Sequence, residues 1–108
     1  MRKKVYVAGP YTKGDPAVNT RNAVLVGNAF LRVGLVPFVP HLNYLWQMVS
    51  PREYEEWMTY CFEWLGVCDA LYRMAGDSPG ADREVAEAER LGIPVFHSTA
   101  EVIRWSRT

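Results

Sequence analysis

Two rhythms of apolar and polar positions alternate along this chain. Lys4 to Ala8 is a short β-branched and aromatic run that ends at Gly9-Pro10, which predicts a strand. Asp15-Pro16 has the form of an N-cap followed by proline at the first helical position. From there Val18, Asn22, Leu25, Ala29, Phe30 and Val33 recur at helical spacing up to Gly34. Leu35 to Val39 predicts a second strand, bounded by Pro40, and a loop holding His41 and Trp46 follows. Ser50-Pro51-Arg52-Glu53 has the pattern of a capping box opening a helix to about Gly66. Asp69 to Met74 predicts a third strand and Ala75 to Pro79 a turn. The next helix stops at Gly92, Ile93 to Phe96 predicts a fourth strand, and Ser98-Thr99-Ala100-Glu101 caps a final short helix.

This βαβαβαβα order predicts a single α/β domain over residues 1–108. The expected architecture is a Rossmann- or flavodoxin-like open parallel sheet of four to five strands with helices on both faces. In such sheets ligands bind at the carboxyl ends of the strands, beside the point where strand order reverses. The segments expected there are Gly9 to Gly14, His41 to Trp46, Ala75 to Gly80 and His97-Ser98. No Walker P-loop is present, and no Gly-x-Gly-x-x-Gly follows the first strand, so a dinucleotide is poorly supported.

One residue breaks the pattern. Winding residues 81–91 as a helix puts Ala81, Glu84, Val85, Ala88 and Leu91 on one stripe, so Glu84 is a carboxylate on the face that should be buried. A buried carboxylate is paired or used. The free N–H groups of the first helical turn favour an anion, so Glu84 is expected to stay ionised and usable as a nucleophile. The plainer alternative is an edge residue that reaches water or caps the turn.

Composition narrows the field further. Twelve basic and twelve acidic residues balance, so no electrostatic footprint for nucleic acid exists. No apolar run approaches the roughly 18 residues of a membrane span, and no signal-peptide pattern appears, so a soluble, cytoplasmic protein is expected. Cys61 and Cys68 lie on one helical face about two turns apart, too far for a disulfide, and are expected as small core residues. Metal-ligand spacing is absent, and neither a metal nor a cofactor is expected.

Three ordered motifs carry a resemblance. Val5-Tyr6-Val7-Ala8-Gly9-Pro10-Tyr11, Cys68-Asp69-Ala70-Leu71, and Ser78-x-Gly80-x-x-x-Glu84-x-x-x-Ala88 followed by Leu91-Gly92-Ile93-Pro94-Val95 resemble the nucleoside 2-deoxyribosyltransferase superfamily. Within it, the chain is similar to small proteins of the DUF4406 type and to nucleoside 5′-monophosphate N-glycosidases. The resemblance implies cleavage of the N-glycosidic bond of a nucleoside or its 5′-monophosphate, by hydrolysis or base transfer, through a covalent glycosyl-enzyme. It implies Glu84 as nucleophile, Tyr6 as the residue that orients it, and Asp69 as the acidic residue that holds the sugar or assists departure of the base. It also implies that Ser78 and Gly80 bind the sugar or its phosphate, that Gly9, Pro10 and Tyr11 line the site, and that His41 lies near base or sugar. A neighbouring subunit completes such sites, and Ser98 is the candidate here.

Plainer roles stand beside these. Tyr6 can be a core aromatic, Asp69 a cap, Ser78 an N-cap, His41 a solvated loop residue and Gly9-Pro10 a turn alone. The loop after the first strand offers Lys13 and Thr12 where phosphate-selective relatives tend to carry arginine. A homodimer is also expected. On the helix from Pro51, the stripe Tyr54, Met58, Cys61, Leu65 and Cys68 is widened by Trp57, Tyr60 and Trp64 to more than half the circumference; a symmetric dimer would cover it, and a large local core is the alternative. Two rival functions remain open: a non-catalytic nucleotide sensor on this scaffold, and a cytokinin-activating type phosphoribohydrolase. The latter's Pro-Gly-Gly-x-Gly-Thr-x-x-Glu turn lacks its Gly-Thr in Pro79-Gly80-Ala81-Asp82-Arg83-Glu84.

Overall fold

The computed structural model describes residues 1–108. Four strands, β1 (Lys4–Ala8), β2 (Val36–Phe38), β3 (Ala70–Arg73) and β4 (Val95–Phe96), form one parallel sheet in the order β2-β1-β3-β4. The chain turns outward on opposite sides of β1, so strand order reverses between β1 and β3. This is the expected open α/β sheet.

Alternation along β1 decides which residues can meet. Val5 and Val7 point to the face covered by α1 (Pro16–Arg32) and α5 (Thr99–Ser106), where they pack with Ala23, Phe30 and Val102. Tyr6 and Ala8 point to the other face, against Cys61 and Leu65 of α3 (Tyr54–Leu65) and Ala81 and Ala88 of α4 (Pro79–Arg90). Tyr6 and the inward face of α4 therefore share one side of the sheet.

Several local expectations fail for identifiable reasons. On α1 the buried face is Ala23, Gly27 and Phe30, while Val18, Leu25 and Val33 of the expected stripe are exposed. Small residues are what the close approach needs: a side chain at Gly27 would lie 2.8 Å from Val39 Cγ2. Leu91 likewise ends outside the α4 core. The segment expected as a loop after β2 is a 3-10 turn (Pro40–Leu42) running into a two-turn helix, α2 (Asn43–Val49). Ser50 is the C-cap of α2 rather than the N-cap of α3, which begins three residues after Pro51, so the capping box does not form.

That extra helix also packs on the aromatic flank of α3. Trp46 of α2 packs edge-on against Trp57 and Tyr60 at 5.2 and 5.7 Å, and Trp64 stacks on Phe38 at 5.4 Å. Trp57 and Tyr60 are thus half-buried within the chain, while Trp64 stays 45% exposed, so part of the widened flank of α3 has no partner in the chain. Cys61 and Cys68 are buried and unbridged. No helix is long and apolar enough to cross a membrane.

Candidate active site

A cavity of about 630 Å³ opens at the carboxyl edge of the sheet, beside the reversal of strand order. That volume lies within the range of small-molecule sites. Its walls come from four regions: Gly9 and Tyr11 to Lys13 after β1, Pro40 to Gln47 around α2, Arg52 to Cys61 on and before α3, and Ser78 to Glu84 at the start of α4.

Glu84 is the one carboxylate among the lining residues, and it is 7% exposed. The sequence places it there because Ser78 caps α4, its hydroxyl accepting from the Ala81 amide at 3.1 Å. Glu84 then falls on the inward stripe with Ala81 and Ala88. The Tyr6 phenol, fully buried on β1, donates to Glu84 Oε2. Oε1 takes no hydrogen bond from the protein and is open to the cavity. Burial pushes the Glu84 carboxyl up to about 7, opposed by the Tyr6 hydrogen bond and by the charges of Arg73 and Arg83. Glu84 stands in the second turn of α4, beyond the free N–H groups of the first, and loss of solvation outweighs the groups that favour its charge. Tyr6 is raised well above its ordinary range, by burial first and then by the Glu84 charge, and so remains a proton donor.

Around this pair the cavity is built from polar and aromatic groups. His41 is buried, and its Nε2 meets the Pro10 carbonyl at 2.9 Å. A carbonyl only accepts, so Nε2 carries the proton and Nδ1, which has no protein partner, is a bare acceptor. Burial holds His41 below its usual value, against the pull of the Pro10 and Gly9 carbonyls, which keeps it neutral. Tyr11 stands edge-on to both His41 and Tyr44. Gly80 faces Tyr54, whose hydroxyl would lie 2.9 Å from any side-chain carbon placed there.

Most of the expected site residues come together here: Gly9, Tyr11, His41, Ser78, Gly80 and Glu84 line the cavity, and Tyr6 stands directly behind Glu84. Pro10 contributes its carbonyl to His41 and packs against Gly76. Two do not join them. Asp69 precedes β3 and lies at the opposite, amino edge of the sheet, where its carboxylate accepts from the Lys4 amide at 2.8 Å. In a parallel sheet the residue before a strand cannot reach the edge where that strand ends. Ser98 follows β4, outside the cavity lining, and its hydroxyl is taken up by the α5 cap, 3.0 Å from Glu101 Oε1. Lys13 reaches the cavity but is paired with Asp77 at 2.8 Å.

The sequence reading missed Asn43, Gln47 and Arg52 as lining residues. Gln47 is locked by two unambiguous donors, the Trp57 indole N–H at 2.5 Å and the Arg52 amide at 2.9 Å, both on Oε1. Its NH₂ group is left as a donor. Asn43 and Gln47 stand four apart, the spacing of one helical face, and that spacing was the available signal.

Comparison with known proteins bears on the fold. A solved 2-deoxyribosyltransferase from Bacillus psychrosaccharolyticus superposes with a TM-score of 0.59 at 26% identity, over 85% of this chain and 69% of that one. A conserved protein from Enterococcus faecalis V583 superposes with a TM-score of 0.71 at 19% identity, over 88% of this chain and 62% of its own length, and shows the fold alone. No protein of curated function matches. The chain has a nucleoside 2-deoxyribosyltransferase-like fold. The family model that matches, over residues 3–98, is that of a domain of unknown function, DUF7768, and the chain belongs to that family.

Proposed function

We propose that this chain cleaves the N-glycosidic bond of a nucleoside or nucleoside 5′-monophosphate, by hydrolysis or by transfer of the sugar to a second base, with Glu84 as nucleophile. The observation that supports this most is the buried Glu84 carboxylate at the cavity wall, held by Tyr6, on a scaffold like that of a 2-deoxyribosyltransferase. In the first step Glu84 Oε1 bonds to the anomeric carbon as the C–N bond breaks and its electron pair leaves with the base. In the second, water or another base attacks the same carbon and returns the carboxylate; with water, a proton is released. Only the ionised fraction of Glu84 can attack, so turnover should rise with pH through about 7.

The remaining groups divide the ligand between them. Trp57 and Tyr11 offer faces or edges to a base, and the Gln47 NH₂ donates to one of its acceptors. Ser78 and Gly80 at the start of α4 face the sugar or its phosphate. A phosphate must compete with Asp77 for Lys13. Asp69 has no part in this scheme, and Ser98 none within one chain. Self-association remains part of the proposal, through the exposed Leu45, Met48 and Val49 of α2 and Trp64 of α3, and sedimentation velocity reads it directly.

A nucleoside and nucleotide panel, incubated with and without an acceptor base and chromatographed, tests the reading. Free base from wild type and none from Glu84→Gln is the expected result; equal release from both overturns it. A second reading, a nucleotide-binding sensor, is favoured by the absence of another carboxylate from the cavity to assist the leaving base. Calorimetric binding without base release would select it.

A further inference from the structure

One stretch of the cavity wall, between α2 and α3, has its hydrogen-bonding polarity fixed by the fold. Gln47 Oε1 accepts from the Trp57 indole N–H at 2.5 Å and from the Arg52 backbone amide at 2.9 Å, which uses both of its lone pairs. A flipped amide would set its NH₂ against two groups that can only donate, so Gln47 holds one orientation and Nε2 is its free end. Arg52 is fixed beside it. Its Nε meets Glu56 Oε2 at 2.7 Å, and its Nη1 donates to the Ser50 carbonyl and hydroxyl at 3.2 Å each. The guanidinium lies over the Trp46 and Trp57 rings at 5.5 and 5.8 Å, and Nη2 is left without a protein partner. Both residues line the cavity, and the sealed, unpartnered side-chain atoms of the protein are Thr20 Oγ1 and His41 Nδ1, so both free NH₂ groups are accessible. Neither can accept a hydrogen bond.

We propose that Gln47 and Arg52 determine base specificity, selecting nucleosides whose base carries a ring carbonyl (hypoxanthine, guanine, uracil or thymine) over those with an amino group in its place (adenine or cytosine). The inference rests on the reading of the cavity as a nucleoside site and deepens it. A carbonyl oxygen has two lone pairs and takes both donors, or shares them with N7 in a 6-oxopurine. An amino group there sets donor against donor, and the groups left unpaired cost free energy that the oxo base does not lose. Asn43, one helical turn before Gln47, does not discriminate, because its amide is held only by the Cys61 sulfur at 3.6 Å and can present either end. A clip joining α2 to α3 needs only the Gln47 oxygen, so the free nitrogen is the end to exchange.

The test is calorimetry with Glu84→Gln, which holds a nucleoside without turnover. It compares 2′-deoxyinosine with 2′-deoxyadenosine and 2′-deoxyuridine with 2′-deoxycytidine, pairs that differ by an oxo group against an amino group. The oxo member of each pair should bind about tenfold more tightly. Gln47→Glu in the same background keeps an oxygen for Trp57 and Arg52 and turns the free donor into an acceptor, so the preference should move toward the amino members by about the same factor. Arg52→Met keeps the backbone amide and should weaken the oxo preference without reversing it. Equal affinities within both pairs overturn the proposal. So does a preference untouched by Gln47→Glu, since Gln47 is then only the clip. Should that variant fail to fold, the two pairs decide alone. The claims separate: equal affinities alongside base release from wild type defeat only the base preference, and an oxo preference without base release defeats only the nucleophile reading. Binding of none of the four nucleosides defeats both.

Discussion

Glu84 and Asp69 were singled out from the same sequence as partners in one site, yet they occupy opposite edges of the sheet. Glu84 sits on the carboxyl edge, buried beside a cavity, with one oxygen held by a phenol and the other open. Asp69 sits on the amino edge and spends its carboxylate on the Lys4 backbone amide, which joins β1 to the start of β3. Strand direction accounts for the difference. A residue near the start of the helix after a strand lies at the edge where ligands bind, whereas a residue just before that strand is committed to the far edge. Acidic character and motif position made the two look equivalent, and topology separates them.

The largest effect that can break this contrast is catalytic. Glu84→Gln should lower base release by on the order of 10³-fold or more, as loss of a nucleophile does, while Asp69→Asn should stay within about threefold of wild type. Comparable losses in steady-state assays of the two variants would put Asp69 back in the site.

Stability as a function of pH gives the next largest effect. Glu84 has its folded-state value raised from 4.5 to about 7, so the folded state binds this proton more tightly. Its contribution is fully favourable below about 4.5, declines as pH rises, and is lost above about 7. At pH 8 the cost is about 3 kcal/mol, so Glu84→Gln should stabilise the protein relative to wild type at pH 8 and little at pH 4. Chemical denaturation at the two pH values measures this, and a gain independent of pH contradicts it.

Smaller effects sharpen the picture. Tyr6→Phe removes the hydrogen bond that favours the carboxylate, and should move the acid limb of the rate profile up by roughly one unit, with about a tenfold loss at pH 6. Asp69→Ala should cost about 1 kcal/mol of folding stability through the orphaned Lys4 amide, with the rate profile unchanged.

The order of strands and helices could be read from the chain because its signals are local. The Asp15 and Ser78 caps and the short strand before Gly9-Pro10 all form where their residue types place them. Glu84 was legible for the same reason: helical winding alone turns it inward. What escaped the sequence depends on packing. The α1 stripe was read from large residues, although the sheet lies against the small ones, Ala23 and Gly27. Ser50-Pro51 imitated a helix start and hid α2, and with it Asn43 and Gln47. Asp69 was misplaced because a motif carries no direction until strand order is known.

The central claim is that Glu84 bonds to the sugar, and mass spectrometry of the protein quenched during turnover tests it most directly. The account predicts an adduct of the sugar, or sugar phosphate, on the peptide that holds Glu84, absent from Glu84→Gln. Base release with no adduct, continuing in that variant, would contradict it.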